Sequence, residues 1–201
     1  AAELDTTFGL ALARLAEVES RRSDTASQTR ARAAATQAVA RSPDLAEAHL
    51  ALLAVASDSA TAVAELARAL GLGPRNPEVL GRAAILTMIY RESDDEAHAL
   101  LQRGLAADSA AFEVLIPAGV LALAEGRYDE GGERFRQAIA SRPDSYDGYH
   151  WLAWRWQLTG DQLRSDSVFQ QFAARVGSSR AIELASGWPF FFVSFPGRYD
   201  A

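Results

Sequence analysis

Apolar residues recur along this chain at helical spacing, in blocks of roughly a dozen residues separated by short polar breaks. From Thr6 to about Arg22, Phe8, Leu12, Leu15 and Val18 share a stripe, and Asp5 or Thr6 is placed to cap the start. Ser23-Asp24-Thr25 breaks that helix, and a second runs to about Arg41 with Ala31, Ala35 and Ala38 on its packing side. Ser42-Pro43-Asp44 closes the pair. The spacing predicts a next pair from Ala46 to Ser57 and from Thr61 to Leu70. Here His49, Leu52 and Leu53 turn inward, opposite Ala62, Leu66 and Ala69, and Gly71-Leu72-Gly73-Pro74 ends the unit. A third pair is expected from Glu78 to Arg91 and from Asp94 to Ala107, with Leu80, Ala83 and Ala84 facing Ala97, Leu101 and Leu105. Gly71-x-Gly73 follows a helix and precedes Pro74, so it is read as a stop and not as a phosphate loop.

From Phe112 onward the pattern becomes a unit of about 34 residues written twice. The first copy carries Leu115, Ala118, Gly119 and Ala122, then Gly126-Arg127-Tyr128-Asp129-Glu130, then Phe135, Ala138 and Pro143. At one constant offset the second carries Tyr149, Leu152, Ala153 and Trp156, then Gly160-Asp161, then Ser165, Phe169 and Phe172. This resembles the tetratricopeptide repeat, a helix-turn-helix unit with the pattern W-x2-L-G-x2-Y, A-x3-F, P. Departures are Gly131 and Ser165, where that family prefers Ala, and Phe172, where it prefers Ala again. Pro117, inside a predicted helix, is expected to kink it or displace its start.

The resemblance implies an all-α, right-handed α-solenoid of about five such repeats, with units at about 5–43, 44–76, 77–111, 112–145 and 146–177. A short helix from about Ser179 to Ser186 reads as the cap that such arrays need. It also implies that the first helix of each unit faces a groove. Carried over by position, the groove residues are Leu50 and Ala54, Ile85 and Met88, then Glu113, Ile116, Val120 and Leu123, then Asp147, His150, Trp154 and Leu158. That set is mainly apolar with acidic edges, which suits an extended apolar segment.

The segment 178–201 changes character after its helix. Gly187-Trp188-Pro189-Phe190-Phe191-Phe192-Val193-Ser194-Phe195-Pro196-Gly197 is aromatic, uncharged and bracketed by prolines, so an extended C-terminal tail is expected. Left in water, Trp188, Phe190, Phe191, Phe192 and Phe195 make a larger apolar patch than monomers usually expose. They are expected to contact this array or a neighbouring molecule. Of the 18 aromatic residues, 13 lie from Tyr146 onward, so the interaction surface is expected in that part of the chain. Trp151 and Trp154, off the core face, are the expected interface tryptophans.

Composition narrows the function. A formal net charge of −6 lacks the basic face that nucleic acid requires. All 20 basic residues are Arg, a mark of codon bias in a GC-rich genome. There is no Cys, and no apolar run long enough for a membrane span. A start on Ala1-Ala2-Glu3 without Met suits an exported, processed chain or a trimmed one. His49, His98 and His150 fall in separate helical pairs, without a second ligand at metal spacing. Asp94-Asp95-Glu96, and likewise Asp129, Glu130 and Glu133, read as charge at helix starts, where the dipole favours it. With no Lys, no Cys and no Gly-x-Ser-x-Gly elbow, neither catalysis nor a cofactor is expected. The expected function is a protein- or peptide-binding scaffold. The alternatives are a self-assembling subunit whose tail docks on its neighbour, and a small-molecule or glycan module built on Trp151, Trp154 and His150.

Overall fold

The computed structural model describes residues 2–22, 24–90 and 94–186. These residues form helices and turns, and by contacts the chain divides into two compact units, one ending at Ala107 and the other starting at Asp108. The first unit holds three antiparallel hairpins: α1 (Ala2–Ser20) with α2 (Thr25–Arg41), α3 (Ala46–Ala54) with α4 (Ser59–Leu72), and α5 (Pro77–Tyr90) with α6 (Asp94–Ala107). The second holds α7 (Phe112–Ala124) with α8 (Tyr128–Ser141) and α9 (Tyr146–Leu158) with α10 (Gln162–Val176), followed by α11 (Ser178–Ser186). α1 starts earlier than the stripe predicts, which places Asp5 and Thr6 within the helix and not at its cap. The tail residues Trp188, Phe190, Phe191, Phe192 and Phe195 lie outside the described residues.

Turn chemistry sets these boundaries. α7 and α9 both end in a Schellman motif at the same place in the repeat. Gly126 and Gly160 adopt φ of 76° and 75°, a left-handed conformation that strains any residue with a Cβ. At the first, Gly126 N–H donates to Leu123 (3.0 Å) and Arg127 N–H to Ala122 (2.8 Å). At the second, Gly160 donates to Gln157 (3.0 Å) and Asp161 to Trp156 (2.9 Å). Three of the second helices, α2, α4 and α10, start on carboxylate caps, whereas α8 follows Arg127 without one. Asp24 accepts from Ser27 N–H, Asp58 from Thr61 N–H and Asp161 from Arg164 N–H. These bonds hold Asp24 and Asp58 below the usual carboxylate range: for Asp24 chiefly the Ser27 side chain, for Asp58 chiefly the Thr61 N–H. The junction prolines are tied down too. Their carbonyls accept from His49 (Pro43, 2.8 Å), Arg103 (Pro74, 2.8 Å) and Tyr149 (Pro143, 3.2 Å).

The two units fill their interiors differently. The first hairpin packs alanine on alanine: Ala13 and Ala16 meet Ala31, Ala34, Ala35 and Ala38, and α3 adds Ala48 and Ala51. Small side chains bring helix backbones close. In the second unit Phe135, Tyr149, Trp151, Leu152, Val168 and Phe172 form an aromatic core, into which α11 inserts Ala181. The three departures from the repeat pattern each have a packing cause here. A Cβ on Gly131 would sit 2.9 Å from the Gly119 carbonyl oxygen, so α8 lies too close to α7 for Ala. The buried Ser165 hydroxyl accepts from Gln157 at 3.1 Å. Phe172 fills the space beside Tyr149 and Tyr146, at centroid separations of 4.9 and 5.3 Å. Pro117 does not displace the start of its helix: α7 runs through it from Phe112, and its missing N–H removes one bond to the Glu113 carbonyl.

Candidate partner-binding face

In the first unit the expected apolar groove is not what the side chains build. Leu50 is only 2% exposed and belongs to the core, a correction to its placing on an open surface. Over it Arg14 of α1 reaches Glu78 of α5 with two bonds of 2.6 and 2.7 Å and also bonds Glu17 at 3.0 Å. Glu17 pairs with Arg82 in turn, and Asn76 donates to Glu47 at 2.9 Å. The hollow is therefore roofed by paired charges. Ile85 and Met88 on α5 are half-buried. Nearby, His49 is buried between Pro43 and Glu65, with Nδ1 2.6 Å from the carboxylate. The Pro43 carbonyl only accepts, so Nε2 carries a proton.

In the second unit the face built by α7 and α9 is different. Every fourth residue of α9 from His150 shares one side, and along it His150 and Leu158 are half-buried while Trp154 is 38% exposed. Ile116 of α7 joins them, half-buried, with Glu113 and Asp147 at the margin. Val120 and Leu123, expected on this face, are instead buried against Phe135, Trp151 and Leu152 and floor it from beneath. The face carries no net charge where it is most apolar. Burial lowers the His150 pKa to about 4, against an opposing pull from Asp147, so the ring is neutral at ordinary pH.

Trp151 is a further correction: it is 6% exposed and stacks on Phe135 of the preceding hairpin at 6.1 Å and 20°. It is a core residue, and Trp154 is the surface tryptophan. Arg155 went unnoticed in the sequence and braces the face from behind. Its Nε donates to the Tyr128 carbonyl (3.2 Å), its Nη2 to Asp129 (2.5 Å), and its guanidinium lies 3.7 Å from the Trp156 ring centroid. A single Arg in a helix gives no sequence signal for its two hydrogen bonds, because Tyr128 and Asp129 come from another hairpin.

Among the described residues, no group of three or more His, Asp or Glu is placed to hold a metal ion, and no helix is long and apolar enough to cross a membrane. No family model and no curated protein matches the sequence. Solved structures do match. A thermophilic TPR protein of Thermus thermophilus aligns with a TM-score of 0.66 at 16% identity, covering 93% of this chain and 98% of that one. PilW, a widely conserved type IV pilus biogenesis factor, gives 0.64 at 16% identity, covering 92% and 88%. PilF of Pseudomonas aeruginosa gives 0.62 at 18% identity, covering 92% and 85%. At such identities the shared property is the fold.

Proposed function

Because this chain has the tetratricopeptide-repeat fold, an all-α solenoid class, we propose that it is a non-catalytic scaffold that binds an extended, apolar segment of a protein partner. The binding surface is the α7–α9 face of the second unit. Repeat arrays of this class work by presenting extended surfaces to other proteins. The observation that carries the reading is the uncharged set Ile116, His150, Trp154 and Leu158, partly exposed and backed by a rigid aromatic floor. In the first unit the corresponding helices carry ion pairs already matched to each other beside the half-buried Ile85 and Met88, a more polar surface for an apolar segment. PilW, of the same fold, is a biogenesis factor, which supports a role in assembling other proteins. The glycan-binding alternative loses Trp151 to the core and retains only Trp154 and His150 at the surface.

Trp154 is the expected anchor. Covering the exposed part of its ring removes on the order of 100 Å² from water, roughly 2 kcal/mol or about 30-fold in affinity. The test is fluorescence anisotropy with labelled ten-residue peptides, uncharged and apolar in one series and acidic in the other. The apolar series is expected to bind, and Trp154→Glu to weaken it by about that factor. Leu163→Glu, a site 84% exposed on α10, is expected to change nothing. Equal binding by both variants would refute the assignment of the face.

A further inference from the structure

Resting on that reading of the α7–α9 face, we propose that its resident occupant is this chain's own segment Trp188–Pro196, docked in cis, so that a partner must displace it. Three observations converge. First, the last described helix packs against α9, the helix that carries most of the face. α11 packs against both α10 and α9, Ala181 enters the shared core, Leu184 rests on it, and the helix ends at Ser186. Second, the length fits. Nine extended residues span up to about 30 Å, whereas the 13 residues of α9 are about 20 Å long. The segment is long enough to lie along α9. Third, the chemistry matches. From Gly187 to Gly197 there is no ionisable side chain, and the face offers Ile116, Trp154, Leu158 and a neutral His150. The neighbouring outer surface of α10 is mostly polar, exposing Arg164, Asp166, Gln170, Gln171 and Arg175 around a single leucine, Leu163.

The prolines favour this mode of docking. Pro189 and Pro196 have no N–H to satisfy, and the residues before them are biased towards extended backbone. Side chains can therefore carry the contact without a sheet edge to pair with. Tethering raises the local concentration of the segment to the millimolar range, so even a weak intrinsic affinity keeps the face covered. The segment then acts as a built-in competitor: only an external segment that binds more tightly, or is present at high local concentration, gains access.

Two measurements on the full chain test this. A labelled peptide with the sequence of Trp188–Pro196 is titrated into the full chain and into a variant of equal length bearing Phe190→Ser, Phe191→Ser and Phe192→Ser. The proposal requires the variant to bind the peptide at least tenfold more tightly, and Trp154→Glu in that background to abolish the gain. Equal affinity for both chains, still lost on Trp154→Glu, would overturn the resident segment while leaving the binding face intact. No binding by either chain, with or without Trp154→Glu, would overturn the face and the inference together. The chain has no cysteine, so Asp147→Cys with Phe192→Cys can be oxidised cleanly at low concentration. A cross-linked monomer is expected, and Gln170→Cys with Phe192→Cys is expected to stay open. A cross-linked dimer would refute docking in cis in favour of a second copy.

Discussion

Gly119→Ala isolates the packing beneath the proposed binding face. Gly119 lies within α7, where replacing Gly with Ala would by helix propensity alone stabilise by about 1 kcal/mol. The structure opposes that gain. A Cβ at this position would lie 2.3 Å from Cε1 and 2.7 Å from Cζ of Phe135, both well inside ordinary contact. The ring cannot swing aside, because Phe135 is fully buried and is stacked on Trp151. Overpacking of this kind costs about 1–3 kcal/mol, and so deep an overlap belongs at the upper end. The net expectation is a loss of about 1–2 kcal/mol, read as a lower urea midpoint and a Tm reduced by roughly 3–8 °C. Gly71→Ala is the matched control. It sits in α4 with nothing within 4 Å of the new Cβ, and should stabilise by about 0.5–1 kcal/mol. Adding Phe135→Leu to Gly119→Ala should be less damaging than the sum of the two single changes. If Gly119→Ala behaved like Gly71→Ala, the close contact of α7 with Phe135 would be wrong, and with it the rigid floor beneath Ile116 and Trp154.

Three further outcomes are expected. Arg155→Ala should cost about 2–3 kcal/mol, since a buried side chain and its bond to the Tyr128 carbonyl are lost; Asp129→Ala, 99% exposed, should cost under about 0.5 kcal/mol in the same denaturation assay. His49→Ala leaves the Pro43 carbonyl without its buried donor and removes the ring that Glu65 packs against, and should lower stability by about 2–4 kcal/mol, whereas an exposed i,i+4 site such as Thr36→Ala should be near neutral. For His150 the folded pKa of about 4 lies below the unfolded 6.5, so the unfolded chain binds the extra proton between those values. Stability from this group is intact above pH 6.5 and falls as pH drops towards 4, by roughly 1–2 kcal/mol after allowing for partial solvation; His150→Phe should flatten that stretch of a stability–pH curve.

Much of the fold is written in short-range signals. Gly126 and Gly160 at one offset, the Asp caps of α2, α4 and α10, and the prolines at the junctions can all be recognised without knowing what packs against them. Contacts between hairpins are harder to read. Trp151 lies off the face that packs within its own hairpin, yet it is buried because Phe135 of the preceding hairpin meets it. Leu50, Val120 and Leu123 were placed on a groove by repeat position, but each lies a layer deeper than that frame suggests. The charge roof of the first unit was hidden for the same reason. Arg14 with Glu17, and Glu78 with Arg82, look like ordinary surface pairs along a helix, and only the fold joins Arg14 to Glu78. That His150, Trp154 and Leu158 of the proposed face share a single helix side follows from spacing alone, which decides who stands beside whom along one helix.

The most direct test of the central claim is hydrogen–deuterium exchange of the three-serine variant, with and without saturating Trp188–Pro196 peptide. Added protection is expected in 112–124 and 146–158, and to be lost on Trp154→Glu. Protection confined to α1–α6, or unchanged by Trp154→Glu, would contradict the assignment of the binding face to α7 and α9.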